Sequence, residues 1–393
     1  MAHNKTKLLV GWVLVSGLVL SGMPYLEFSL LQGDLILLST SLLVMSVVVG
    51  YLLESPKVAL LQLVLSIYIV LMTFGCLGWL GYELTQESLL GLVVLITLMS
   101  SNLVHILSTL LREMARGLFQ YDAVAEALKL NTSPILLSNL TTALGFVLAA
   151  WVDSAYSPLA WLVIVGVFFS FLITVSWLPM VLLNWLLEFR VGNTVDRKGL
   201  TFVANWLLKN PLYRWLIIGL GLLLAGVLIF ANFELLTEFE QLFWLVGIFG
   251  ILFLLFWQSL SMALMNLMIN FLALLTAISL FVLLTGETQW ALLAWMVPLG
   301  IIVDDGIHFF SRYARAKYTV FSDPKSAVIF AMASVGRPIW ITSWVLFTGL
   351  AVLLVSDNRM VFEASLLTML ALVVATLFIL MVLPALLMSS KPK

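Results

Sequence analysis

The sequence predicts an all-α integral membrane protein of about twelve transmembrane helices, built as two six-helix repeats of parallel topology. Three observations carry this reading: a composition too apolar for water, a series of long apolar runs, and self-similarity at an offset of about 204 residues. Hydrophobic residues fill 63% of 393 positions and charged residues 10%. A water-soluble chain of this length carries far more charge on its outside, so lipid is the solvent for most of this one. A formal net charge of -1 offers no footprint for a nucleic-acid partner. The single cysteine, Cys76, lies in an apolar run and has no mate for an intramolecular disulfide.

Apolar runs of about 20 residues cross a bilayer as helices, because a lone strand leaves its backbone polar groups unpaired in lipid. The first six fall at Leu8–Tyr25, Leu35–Leu53, Val58–Gly81, Leu89–Leu111, Ile135–Val152 and Leu159–Leu187. The second six fall at Leu212–Asn232, Leu242–Trp257, Met262–Leu284, Trp290–Tyr313, Ile339–Ser356 and Phe362–Ser389. Lys5 and Lys7 ahead of Leu8–Leu20 give the first run the pattern of a secretory leader. No small-residue cleavage site follows it, and the repeat uses the run as its first helix. The shortest run is Leu242–Trp257. A short amphipathic helix is expected between the fourth and fifth spans of each half, at about Leu118–Leu130 and Pro324–Ser334.

An even number of crossings puts both termini on one side, and the charges agree. All of the 19 lysines and arginines except Arg359 fall on the side of the termini. The opposite loops carry mainly acids, among them Glu27, Asp34, Glu83, Asp153, Glu234, Glu287 and Asp357. By the positive-inside rule both termini are expected in the cytoplasm, with the chain multi-pass in the cell's inner (cytoplasmic) membrane.

The two halves align residue by residue. His105, Ser108 and Arg112 match His308, Ser311 and Arg315, and Pro134-Ile135 matches Pro338-Ile339. Gly145 matches Gly349, and Asp153 matches Asp357. The expected units are residues 1–190, a polar cytoplasmic linker at 191–211, and residues 212–393. Parallel repeats are related by an axis along the membrane normal, and a substrate or ion site is expected near their interface.

The tenth span reads Gly300-Ile301-Ile302-Val303-Asp304-Asp305-Gly306-Ile307-His308. An acid at the centre of a membrane helix costs about 3 kcal/mol on insertion scales, so two adjacent ones point to a functional site, the alternative being polar groups that hold the bundle together or a cluster at the helix end near the interface. Two neighbouring charges repel in a low dielectric, which suits the pair to carrying a proton. Asp304 and His308 are four apart and share a helix face, so a proton can pass between carboxylate and imidazole. The equivalent positions of the first half are Ser101, Asn102 and His105. They lack acids, yet they can support those of the second half by hydrogen bonding. His105 also fits a satisfied histidine of the bundle interior. Thr342 and Ser343, like Ser138, Asn139, Thr141 and Thr142, are either helix-packing hydroxyls and amides or part of a polar pathway.

Several classes are excluded. There is no Walker loop for ATP, no His or Cys cluster with metal-binding spacing and no serine-hydrolase elbow. An intramembrane aspartyl protease places its two acids on separate helices, whereas Asp304 and Asp305 share one. No enzyme, metal or cofactor is expected.

The run from Gly300 to Phe309, followed by Ser311-Arg312-Tyr313, resembles the fourth-helix motif of the resistance–nodulation–division transporters. The branch it is most similar to holds the mycobacterial-membrane-protein-large and hopanoid exporters, with Patched-type proteins more distant. Gly75-Cys76-Leu77-Gly78-Trp79-Leu80-Gly81, Ser138-Asn139-Leu140-Thr141-Thr142-Ala143-Leu144-Gly145-Phe146 and Arg337-Pro338-Ile339 fit the same pattern. The resemblance implies an exporter of lipids or other hydrophobic molecules, driven by the proton-motive force, with Asp304 and Asp305 as the proton relay. Two departures stand out. The large porter domains of the family shrink here to about Leu26–Asp34 and Phe233–Gln241, and relay acids occur in one half only. The chain then reads as a transporter or its bare membrane motor, served by a porter-bearing or periplasmic partner protein. The alternative is a non-transporting lipid sensor, scaffold or accessory subunit that binds lipid in a groove of the bundle.

Overall fold

The computed structural model describes residues 5–30, 32–86, 88–152, 154–185, 199–231, 240–286, 293–321 and 323–389. The first half contains α1 (Lys5–Leu20), α2 (Gln32–Leu52), α3 (Pro56–Leu80), α4 (Ser88–Ala115), α5 (Gln120–Val152) and α6 (Ser157–Leu172). A π-helical turn at Ile173–Trp177 continues α6 into Leu178–Asn184. After α7 (Thr201–Lys209) come α8 (Pro211–Ala231), α9 (Glu240–Trp257), α10 (Leu260–Thr285), α11 (Leu293–Thr319), α12 (Pro324–Leu353) and α13 (Arg359–Leu377). A second π-helical turn, Phe378–Val382, carries α13 into Leu383–Ser389. The chain is an all-α membrane fold. Ten of its helical segments are long and apolar enough to cross a bilayer. The shorter apolar α9 and the acid-bearing α11 stand where the sequence places the eighth and tenth spans.

The repeat is written into the backbone as well as the sequence. Glu54 and Gln258 both take positive φ (53° and 51°), and Ser55 and Ser259 after them cap α3 and α10 in extended conformation. Gly81 and Gly286 close those helices in the left-handed region (φ 69° and 70°), where glycine pays no Cβ penalty. Both π turns lie just before a proline, Pro179 or Pro384. The missing N–H and the ring of each are accommodated by widening the turn.

One expectation is corrected. The helices placed between the fourth and fifth spans are not separate: α5 and α12 run unbroken through Pro134 and Pro338. A proline costs one intrahelical bond, which in a packed membrane bundle neighbouring groups replace, so it does not end the helix. The second part of the linker is helical. Its α7 docks on α12, where Leu200 N–H donates to the Met332 carbonyl at 3.2 Å. Residues 186–198, which hold the rest of that linker and the end of the first repeat, lie outside the described residues, as do 232–239 in the second short loop. The first short loop is described: Glu27–Phe28 pairs in parallel with Glu83–Leu84, tying the end of α1 to that of α3.

Burial sorts the helices into shells. Helix α4 is buried along its length, whereas α1 and its counterpart α8 are mostly exposed. The inner helices pack across the halves, α5 on α11 and both α4 and α2 on α12. Small residues bring backbones close: a Cβ on Gly78 would strike the Gly22 carbonyl, and one on Gly75 the Val19 carbonyl. That contact is the work of the glycines between Gly75 and Gly81.

Candidate functional site

Helix α11 runs through the seam between the halves, and its glycines allow the approach. A Cβ on Gly306 would collide with the side chains of Asn266 and Asn270 on α10. Gly300 lies against the α5 backbone, where Thr142 Oγ1 donates to the Gly300 carbonyl at 3.0 Å. The acids between these glycines are therefore held in the bundle interior. Asp304 and Asp305 are 7% and 5% exposed.

Successive residues of a helix point about 100° apart, so the adjacent acids serve different neighbours. Asp304 faces the first half: Ser101 Oγ on α4 donates to its Oδ2 at 2.6 Å. Its Oδ1 lies 3.5 Å from His308 Nε2, in ion-pair range. Asp305 turns into its own half, where Thr342 Oγ1 reaches Oδ1 at 3.3 Å and Ser343 Oγ reaches Oδ2 at 3.2 Å. Ser343 also lies 2.7 Å from Thr376 Oγ1 on α13. A cavity of about 10 Å³ touches both acids, Ser101 and Thr97, roughly the room one water needs.

Below Asp304 the imidazoles of His105 and His308 stack with centroids 3.6 Å apart and planes 8° from parallel. They come from matching positions of the two repeats, so the stack sits on the pseudo-two-fold relation. All four ring nitrogens are buried, with no hydrogen-bond partner among the described residues. One turn further on, Arg312 Nη2 donates to Asn131 Oδ1 at 2.7 Å and approaches Thr109 Oγ1 at 3.4 Å. Asn131 Nδ2 in turn donates to Thr109 at 3.0 Å. Arg312 is buried, with no carboxylate in ion-pair range among the described residues. Asp304, His308 and Arg312, at i, i+4 and i+8, form one polar column with His105 and Thr109 of α4. It leads from mid-helix to the basic end of α11.

Most of the expected site residues meet here: Asp304, Asp305, His308, His105, Ser101, Thr342 and Ser343. Asn102 does not, since its Nδ2 donates to Ser170 Oγ on α6 at 3.0 Å, away from the acids. Its place next to Ser101 turns it to another face. Arg312, Asn131, Thr109 and Thr376 were missed. The sequence reading uses Arg312 only as a basic residue and as part of the Ser311-Arg312-Tyr313 motif, although its spacing of eight from Asp304 places it on the same stripe. Nor did sequence spacing suggest metal ligands, yet the fold brings donor atoms of His105, Asp304 and His308 within 4.8 Å of one another. Stacked rings aim their lone pairs side by side, not at a common point, so the trio is not arranged around an ion.

The arrangement of acids, imidazoles and buried cation can be set beside known proteins. Residues 239–390 match the MMPL family. That stretch holds both acids, His308, Arg312, Thr342 and Ser343, so the resemblance seen in the α11 motif stands. Two solved structures share the fold. SecDF from Thermus thermophilus, described as a translocon-associated membrane protein, superposes with a TM-score of 0.70 at 14% identity. SecDF in a super-membrane-facing form superposes with 0.66 at 13%. Each alignment covers 91% of this chain and 62% of the other. At such identity the likeness establishes the fold alone. No curated protein matches the chain.

Proposed function

We propose that the chain is a transporter, or the transmembrane motor of one, that uses the proton-motive force to move lipid-like hydrophobic molecules outward. The carrying observation is the buried pair Asp304 and Asp305 at the seam of the halves, continued by stacked histidines and Arg312. Ionisable groups at this depth cost several kcal/mol and persist where they serve a path. In this reading Asp304 and Asp305 load and release the proton, and the His105–His308 stack passes or tunes it. The chain lies in the inner membrane with both termini cytoplasmic, as its basic loops indicate. Residues 26–34 leave no room for a porter domain, so a porter-bearing or periplasmic partner handles the cargo.

The test is proton flux in liposomes under an imposed pH gradient, read with a pH-sensitive dye. Wild type is expected to conduct, and Asp304→Asn and Asp305→Asn to lose at least about tenfold of the rate. Equal flux in all three proteins rejects the reading. The alternative, a lipid sensor or scaffold, is favoured by the short 26–34 loop and predicts that both neutral variants keep full function.

A further inference from the structure

On the outward side of α12 and α13 lies a pocket of about 280 Å³. We propose that it binds one acyl chain of a lipid taken sideways from the bilayer, with a tryptophan indole N–H donating to the carbonyl oxygen of the chain. Its link to transport rests on the proton-coupled reading above; the binding itself does not.

Trp340, Trp344 and Phe347 of α12 form its aromatic wall, with successive rings 5.8 Å apart and edge-to-face. Trp340 and Trp344 are 44% and 43% exposed. Between them in the chain lie Thr342 and Ser343, which touch Asp305, so the two indoles sit at the depth of the acids. Membrane tryptophans gather instead in belts at the headgroup level. The first half has Leu136 and Leu140 at the matching exposed positions. The aromatic wall therefore belongs to the acid-bearing half alone.

Neither indole N–H has a hydrogen-bond partner among the described residues. A donor facing hydrocarbon costs free energy unless it meets an acceptor, and a lipid drawn out of its leaflet far enough to carry its carbonyl to this depth supplies one. The rest of the lining is apolar apart from Ser343 and Thr376, which suits a hydrocarbon chain. The volume falls at the small end of ligand pockets, enough for one chain. The floor connects to the site: Ser343 and Thr376 are the hydroxyls bonded to each other beside Asp305. Leu372 borders both this pocket and the small cavity at the acids. An occupant thus lies one side chain from Asp305 and shares Ser343 with it, so chain binding and the state of Asp305 are coupled reciprocally.

The experiment uses the full chain in phospholipid nanodiscs with two photoactivatable probes in separate arms, a diazirine palmitate and a phosphatidylcholine with a diazirine acyl chain. Adducts are mapped by mass spectrometry. Labelling is expected to concentrate on residues 340–347 and 372–377, about fivefold above the exposed faces of α1 and α8. Excess palmitate should abolish the concentration in the arm of the source that is used. Val373→Trp fills the pocket from its half-exposed lipid side and should remove it as well, without changing α1 and α8. The stronger arm tells free fatty acid from phospholipid. Labelling spread evenly over exposed helices, indifferent to competitor and to Val373→Trp, overturns the site. Flux measured on the same protein separates the two readings. Focused labelling without flux keeps the site and rejects the proton motor, and flux without focused labelling rejects the site alone.

Discussion

Asp304 and Asp305 differ in what holds them, and that difference sets what their variants do. Asp304 accepts one short hydrogen bond from Ser101 across the seam, while Asp305 is cradled by Thr342 and Ser343 within its own half. Ser101→Ala removes a hydrogen bond to a carboxylate, worth about 1.5–3 kcal/mol. It is expected to lower liposome proton flux about tenfold, together with a lower melting temperature. Asn131 has a structural role instead, because it is the short partner of a buried guanidinium. Asn131→Ala leaves Arg312 with only the longer contact to Thr109. A loss of about 2 kcal/mol is expected, read as a lower thermal midpoint of the purified protein. Asn131→Asp restores a partner and should recover that midpoint.

Helices in this bundle approach as closely as their smallest residues allow. Gly306 sets the distance between α11 and α10, since any Cβ there meets Asn266 and Asn270. Gly306→Val is expected to cost about 1–3 kcal/mol by overpacking, visible as reduced yield and a lower melting temperature, while Gly219→Val on exposed α8 is neutral. Prolines behave differently from the soluble-helix rule. Pro134 and Pro338 lie inside α5 and α12 without ending them, so the sequence signal for two short separate helices was misleading. In water a proline is a fair stop sign; in a packed bundle the freed carbonyl finds other partners.

At the scale of the whole molecule the two halves are held by their inner helices, with α5 on α11 and α4 on α12. The hydrogen bonds across the seam, Ser101 to Asp304 and Arg312 to Asn131, join residues of different halves. Assembly therefore does not depend on chain continuity between them. Residues 1–198 and 199–393, expressed as separate chains in one cell, are expected to co-purify through a tag on either one. Failure to co-purify, with both chains present in the membrane, counts against a seam of this strength.

The sequence by itself determined the fold class, the repeat and the acids of α11. Each of these is a one-dimensional quantity: apolar length against bilayer thickness, similarity at a fixed offset, and charge where lipid forbids it. Spacing along α11 even holds the Asp304–His308–Arg312 stripe, though the sequence reading uses Arg312 only for its charge and its motif. Only the tertiary structure decided who meets whom across the seam. It stacked His105 on His308, gave Ser101 to Asp304, turned Asn102 to Ser170, and set Thr376 beside Ser343. Helix rotation and the close approach at Gly300 and Gly306 fix those pairings, and both arise from packing between distant segments, which no pattern within one helix records.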